Sequence, residues 1–190
     1  MTNRTSISGF ILSGGKSRRM GTDKALLSFQ GKSLLKHMIN LIEPMCDRVV
    51  ISGQNSDYTS FGVEMIADLY SNCGPIAGIF SALKYSVSDW NLIVSVDVPF
   101  VNDELFLSLI SNIGDYECII PKTNSGVEPL IGLYHRQALP LIEKMLKSED
   151  YRITNLLSKL NTQYLDCTHL IEKYPRLFMN INRLEDYQSI

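Results

Sequence analysis

Residues 7–15 read Ile7-Ser8-Gly9-Phe10-Ile11-Leu12-Ser13-Gly14-Gly15, an apolar run that ends on two adjacent glycines. Such a run, closed by glycines, is typical of a buried strand that leads into a tight loop. Basic side chains crowd the residues that follow, at Lys16, Arg18, Arg19 and Lys24. Glycines let backbone N–H groups approach an anion closely, and cations balance its charge. A surface turn with solvated basic side chains is the alternative, but the position after the first strand favours a phosphate-binding loop.

Short apolar runs recur along the chain, and segments of helical period separate them. The pattern predicts strands over residues 7–12, 48–52, 63–67, 92–96, 118–121 and 130–134. It predicts helices over residues 33–42, from Pro75 onward, and over 103–112, 136–147 and 152–159, with a last helix opening at Asn182. Strands that alternate with helices pair in parallel through right-handed crossovers. We therefore predict an α/β fold in three layers, a mostly parallel sheet with helices on both faces, in a single domain over residues 1–190.

Candidate site residues follow several of the predicted strands. Directly beyond a strand end lie Leu12–Gly15, Ser52 with Gly53, Asp68, and Asp97. Open sheets of this kind bind ligands in the crevice outside the carboxyl ends of their strands. We therefore expect these segments to converge on one rim of the sheet.

Composition excludes several classes of function. The formal net charge is -2, the hydrophobic share 45% and the charged share 20%, which is ordinary for a globular protein and unlike a dedicated nucleic-acid binder. The four cysteines form no C-x-x-C pair, so free thiols are expected rather than a zinc site. No stretch approaches the roughly 20 apolar residues needed to cross a bilayer, and the opening run is too short for a signal peptide. We expect a cytoplasmic protein with no membrane or nucleic-acid partner.

Two common phosphate-binding motifs do not fit. A Walker A loop needs G-x-x-x-x-G-K-[ST]. Gly15-Lys16-Ser17 and Gly31-Lys32-Ser33 supply its ending, but Phe10 and Leu26 occupy the positions of the required first glycine. The dinucleotide fingerprint G-x-G-x-x-G is also absent, because the adjacent glycines break its spacing. Neither a P-loop NTPase nor a nicotinamide dehydrogenase is indicated.

A resemblance to a known family begins in the same loop. Residues 12–27 read LSGGKSRRMGTDKALL and resemble the L-x-G-G-x-S-x-R-M-G-x-D-K signature of nucleotidyltransferases that activate sugars and cofactors. Further segments resemble the MobA-type molybdenum cofactor guanylyltransferases, at Gly74–Gly78 (GPIAG), Val96–Phe100 (VDVPF), Glu128–Tyr134 (EPLIGLY) and Phe178–Asn182 (FMNIN). The departures are Ser13 for the usual Ala, Val96 for Cys, and Arg183-Leu184 for Thr-Pro.

The resemblance implies a Rossmann-like nucleotidyltransferase fold and a specific reaction. GMP would pass from GTP to the phosphate of molybdopterin, or of molybdopterin already carrying molybdenum, with release of pyrophosphate and with Mg²⁺ as cofactor. Partner proteins of cofactor biosynthesis could deliver the acceptor. Two alternatives stay open: a cytidylyltransferase acting on molybdopterin or another small phosphorylated acceptor, and a non-catalytic nucleotide-binding regulator.

The same resemblance assigns roles to individual residues. Asp97 would bind Mg²⁺, which prefers carboxylate and phosphate oxygens, although an aspartate there could also cap a helix. Lys24 and Arg19 would be the cations on the triphosphate. The nucleotide site would further include Leu12, Ser13, Gly14, Gly15, Ser52, Asp68 and Gly78. Asn180, Asn182 and Arg152 would contact the acceptor, with turn residues and an exposed helical arginine as the alternative interpretation.

Overall fold

The computed structural model describes residues 5–14 and 23–181. The strands are β1 (Ile7–Leu12), β2 (Ser28–Phe29), β3 (Lys32–Ser33), β4 (Arg48–Ser52), β5 (Glu64–Ile66), β6 (Trp90–Ser95), β7 (Cys118–Thr123), β8 (Gly126–Val127), β9 (Ile131–His135) and β10 (Thr162–Asp166). The α-helices are α1 (Leu34–Ile42), α2 (Pro75–Tyr85), α3 (Asp103–Ser111), α4 (Leu139–Lys147), α5 (Ile153–Lys159) and α6 (Thr168–Lys173). Short 3-10 helices lie at Lys24–Leu26, Glu43–Met45, Ser56–Phe61 and Arg136–Ala138.

The main sheet has the strand order β10-β7-β9-β6-β1-β4-β5, and β8 pairs with β7. Pairing is parallel between β6, β1, β4 and β5 and between β7 and β10, which confirms the mostly parallel sheet. Strand β9 is the exception among the long strands, since it runs antiparallel to both β6 and β7. Only residues 124–130 connect β7 to β9, which is too short for the crossover that a parallel neighbour requires.

Alternate residues of each central strand enter opposite cores, as the pleat of a strand dictates. In β1, Ile7 and Ile11 pack with the apolar faces of α1, α3 and α6, whereas Phe10 and Leu12 pack with those of α2, α4 and α5. The sheet is therefore buried on both faces between helices. The three layers predicted from the sequence are present.

Helix boundaries follow from identifiable caps. The Ser33 hydroxyl accepts a hydrogen bond from the Lys36 N–H at 3.2 Å and opens α1, and the Asn102 side chain accepts from the Leu105 N–H at 3.0 Å and opens α3. Pro75 occupies the first turn of α2, where its missing N–H costs nothing. No helix within the described residues is long and apolar enough to span a membrane. The predicted capping box at Asn182 lies outside those residues.

Candidate functional site

A cleft of about 710 Å³ opens beyond the carboxyl ends of β1, β4 and β5, next to the first turn of α2. Its volume is within the range of small-molecule sites. Parallel strands deliver several segments to it: the end of β1 (Leu12, Ser13, Gly14), the residues after β4 (Ser52–Asn55), Asp68, the loop before α2 (Tyr70–Pro75), Gly78, and Ser95 at the end of β6. The cleft thus lies where the topology of an open α/β sheet places a ligand.

One carboxylate, Asp68, faces the glycine end of this cleft. The buried Ser52 hydroxyl donates a hydrogen bond to Asp68 Oδ1 at 3.0 Å, and this bond fixes the orientation of the carboxylate. A Cβ added at Gly14 would lie 3.9 Å from Asp68 Oδ2, and one added at Gly78 would lie 3.6 Å from Oδ1. The carboxylate therefore stands between two residues without side chains. Such an oriented acid can accept N–H or O–H donors from a ligand.

Ser13 ties the end of β1 to β4. Its N–H and its hydroxyl both donate to the Ser52 carbonyl oxygen, at 3.0 and 2.9 Å. Gly53 follows and leaves room for this contact, because a Cβ there would lie 2.3 Å from Ser13 Oγ and 2.9 Å from Tyr58 Cε2. The close packing of Ser13 and Tyr58 therefore requires glycine at this position.

Gly53→Ala is expected to lower the free energy of unfolding by about 1–3 kcal/mol, because the new methyl group overlaps Ser13 and Tyr58. Gly114→Ala is the matched control, since its Cβ would meet its nearest atoms at 3.8 Å, an ordinary contact. Urea denaturation of both variants measures the difference. Equal stability of the two variants would contradict the packing described for Gly53.

Asp97 lies on the turn that follows β6, beside the cleft. The Ser95 hydroxyl donates to Asp97 Oδ1 at 2.5 Å, and Ser95 lines the cleft. The Val96 N–H donates to the Leu12 carbonyl oxygen at 3.1 Å, which joins this turn to the end of β1. The Asp97 carbonyl oxygen accepts a hydrogen bond from the Ile181 N–H at 2.8 Å, so the exposed Asn180 comes next to Asp97 in the fold.

A hard cation bound by oxygen ligands fits this arrangement better than a metal held by imidazole and thiolate ligands does. Within residues 5–14 and 23–181, no three His, Cys, Asp or Glu side chains group as a metal site. Mg²⁺ needs no such cage, because it uses one or two carboxylates and completes its shell with phosphate oxygens and water. Asp97, held in one orientation by Ser95, offers a carboxylate of this kind.

The structure brings most of the predicted site residues together. Lining the cleft are Leu12, Ser13, Gly14, Ser52, Asp68 and Gly78. Lys24 opens the 3-10 turn directly after Asp23, which also lines the cleft. Arg152 is exposed at the start of α5 and is not among the lining residues. Gly15, Arg19 and Asn182 lie outside the described residues.

Arg152 follows Tyr151, which interacts with the loop before α2. The interaction with Cys73 is the main cause that raises the pKa of the Tyr151 hydroxyl. Cys73 belongs to the cleft loop before α2. Arg152 is therefore next in sequence to a residue that interacts with the cleft loop, without lining the cleft itself.

Sequence reasoning gave no role to Asp23, Asn55, Tyr58 or Glu128. The first three line the cleft and are hydrogen-bonded to one another, a contact that no spacing in the sequence indicates. Glu128 precedes the cleft residue Leu130 by two positions and is half-buried, and this burial raises the pKa of its carboxyl group. Its only sequence signal was membership of the EPLIGLY segment.

Comparison with known proteins places the chain in a family. Residues 9–164 match the MobA-like NTP transferase domain. A protein of Flavobacterium johnsoniae named as a probable molybdenum cofactor guanylyltransferase is 35% identical over 95% of this chain and 94% of its own, and a protein of Clostridium perfringens with the same name is 32% identical over 96% and 95%.

A solved structure agrees with these relatives. The molybdopterin-guanine dinucleotide biosynthesis protein A of Archaeoglobus fulgidus superposes with a TM-score of 0.80, at 26% identity, over 96% of this chain and 95% of that one. The family match covers most of the chain and includes β1 from Gly9 onward, the glycines that follow it, Asp68 and Asp97. This chain belongs to the family of MobA-like NTP transferases.

Proposed function

We propose that this protein transfers GMP from GTP to the phosphate of molybdopterin and releases pyrophosphate. The observation that carries the proposal is the grouping of the β1 glycine end, Asp68 and Asp97 along one edge of the sheet. The relatives named as guanylyltransferases align with nearly the whole chain, which supports guanine as the base and molybdopterin as the acceptor. In this proposal the N-terminal part binds the nucleotide and the C-terminal part binds the acceptor.

The chemistry requires positioning more than acid–base catalysis. A terminal phosphate has its second pKa near about 6, so the acceptor oxygen is already ionised at neutral pH. That oxygen attacks the α-phosphorus of GTP, the bond between the α-phosphorus and its bridging oxygen breaks, and pyrophosphate leaves with that oxygen. The residues of the chain hold the two substrates in line and stabilise the charge that develops on the phosphate oxygens.

Each part of GTP has its own contacts in the proposal. The backbone N–H groups of the glycine-rich loop and the cations Lys24 and Arg19 hold the triphosphate. Asp97 holds the divalent cation that nucleotidyltransferases of this kind generally use, and we assign it as Mg²⁺. Balancing the charge of the phosphates is the chemistry that this cation supplies. Asn180, Asn182 and Arg152 are assigned to the acceptor.

Incubation of the purified protein with GTP, Mg²⁺ and molybdopterin tests the function directly. The expected product is molybdopterin carrying GMP, identified by mass, together with pyrophosphate in equal amount. Parallel reactions with CTP, ATP and UTP separate the proposal from a cytidylyltransferase, which would form product with CTP in preference. Tight GTP binding without any product would instead indicate a nucleotide-binding regulator.

Asp68→Asn tests the base contact. The carboxylate can accept both the N1–H and the exocyclic amine of guanine, whereas an amide presents one oxygen and one donor. Loss of one hydrogen bond to a charged group should weaken GTP binding about 10- to 100-fold. The affinity for ATP, which lacks this pair of donors, should change much less. Isothermal titration of both nucleotides measures the effect.

Asp103→Asn is the control for this experiment, because Asp103 is an exposed aspartate at the start of α3, away from the cleft lining. It should leave both affinities unchanged. An equal loss of GTP and ATP affinity in Asp68→Asn would instead assign Asp68 to the ribose, which the two nucleotides share.

A further inference from the structure

Asp23, the first described residue after the glycine-rich loop, is held by side chains on the wall of the cleft. Its Oδ1 accepts a hydrogen bond from the Ala25 N–H at 3.0 Å. Its Oδ2 accepts one from Asn55 Nδ2 at 2.7 Å and one from Tyr58 Oη at 2.8 Å. We call Asp23, Asn55 and Tyr58 the Asp23 clamp. All three line the cleft.

The two donors of the clamp are themselves fixed. Asn55 uses both atoms of its amide, because its Oδ1 accepts from the Asp57 N–H at 3.0 Å while its Nδ2 donates to Asp23. The Tyr58 N–H donates to the Asn55 carbonyl oxygen at 3.2 Å, and the Tyr58 side chain is 2% exposed. Burial, followed by the bond to Asp23, raises the pKa of the Tyr58 hydroxyl, so this hydroxyl remains a donor at physiological pH.

Tyr58 also packs against the other end of the glycine-rich loop. Ser13, which precedes Gly14, and the Tyr58 ring crowd the same side of Gly53, as the 2.3 and 2.9 Å approaches to a Cβ there indicate. Ser13 is in turn bonded twice to the Ser52 carbonyl oxygen. Both ends of the loop are therefore fastened to β4 and to the 3-10 helix that follows it.

We infer that Tyr58 and Asn55 are positioning residues, which hold the ends of the glycine-rich loop together and thereby set Lys24 against the phosphates of the nucleotide. The inference rests on the proposed nucleotide-binding function. Lys24 directly follows Asp23, so a displacement of the Asp23 carboxylate moves the backbone that carries Lys24. A lysine whose backbone is held in advance binds its anion at a lower ordering cost.

A buried Tyr–Asp pair can also stabilise the fold without any role in nucleotide binding. The ratio of the affinities for GTP and GMP distinguishes this structural role from the positioning role. The β- and γ-phosphates are present in the nucleoside triphosphate and absent from the monophosphate. Tyr58→Phe, which removes only the hydroxyl, should weaken GTP binding about tenfold, the scale of one hydrogen bond to a charged group. GMP binding should change by less than about threefold, because GMP lacks the β- and γ-phosphates that Lys24 is inferred to contact.

Tyr164→Phe is the matched control, because Tyr164 is an exposed tyrosine on β10 and its hydroxyl lies outside the cleft. It should keep the GTP-to-GMP affinity ratio of the unmodified protein. The same ratio in Tyr58→Phe would overturn the inference. Asn55→Ala, at a half-buried position, provides the same test should Tyr58→Phe fold poorly.

A double variant adds a second criterion. If the hydroxyl acts through Asp23, Tyr58→Phe combined with Asp23→Asn should bind GTP about as weakly as the weaker single variant. Additive losses would show that Tyr58 acts independently of Asp23 and would contradict the clamp. These are binding measurements, so they remain decisive even if no transfer product forms. Should another nucleotide be selected over GTP, the same ratio is measured with its tri- and monophosphate.

Discussion

Replacing Asp97 with alanine is expected to lower kcat/KM for nucleotidyl transfer by about 30- to 1000-fold, equivalent to about 2–4 kcal/mol of transition-state stabilisation. Asp97 follows β6 at the edge where the cleft opens, and the Ser95 hydroxyl orients its carboxylate at 2.5 Å. Its charge is the feature that can hold a divalent cation on the phosphates. Steady-state release of pyrophosphate by the purified variant measures the loss, with circular dichroism to verify the fold.

Asp97→Asn removes the negative charge of the side chain while keeping its size, so it tests the charge alone. The amide oxygen can still accept from Ser95, so local packing is retained, but it is a weaker ligand for a hard cation. We expect a loss comparable to that of the alanine variant, together with weaker Mn²⁺ binding by electron paramagnetic resonance in the presence of GTP. Turnover within threefold of the unmodified enzyme would limit Asp97 to a structural role in the turn after β6.

Much of the fold could be predicted because buried strands and amphipathic helices leave strong patterns. β1, β4 and β6 are short apolar runs with both faces covered, and α1 places its apolar residues on one face. β10 was missed because it is an edge strand with no fully buried residue, and its sequence TQYLD carries little apolar pattern. The hairpin of β2 and β3 was also missed, since its turn places Gln30 at φ 49°, a conformation that glutamine rarely signals.

The candidate site likewise has a part that could be predicted from the sequence and a part that could not. Ser52, Asp68 and Gly14 could be placed on one rim because parallel strands end at the same edge, and this rule needs no knowledge of side-chain contacts. The bonds from Asn55 and Tyr58 to Asp23 could not be predicted, because they join residues 32 and 35 positions apart through the tertiary fold. The polar segment Gln54–Ser60 has the composition of an ordinary surface loop, so its hydrogen bonds to Asp23 cannot be inferred from the sequence.

Lys24→Met is expected to lower kcat/KM by about 30- to 1000-fold, because it removes one preorganised cation from the phosphates while keeping the length of the side chain. Lys24 is half-buried and opens the 3-10 turn that Asp23 caps, so its backbone is fixed. We expect both a lower kcat and a higher KM for GTP, since the β- and γ-phosphates carry charge before and during transfer. Stopped-time assays across a range of GTP concentrations separate the two constants.

Two further variants decide whether the charge of Lys24 is responsible. Lys24→Arg restores a cation of different shape and should recover at least tenfold of the lost kcat/KM, since the electrostatic attraction to phosphate is regained although the point-charge geometry is not. Lys36→Met, on the half-buried first turn of α1 outside the cleft lining, is the matched control and should behave like the unmodified protein. If Lys24→Met keeps near-normal turnover with its fold intact, Lys24 is a structural lysine of the 3-10 turn. The charge on the phosphates must then be balanced by the basic residues between Gly15 and Gly21.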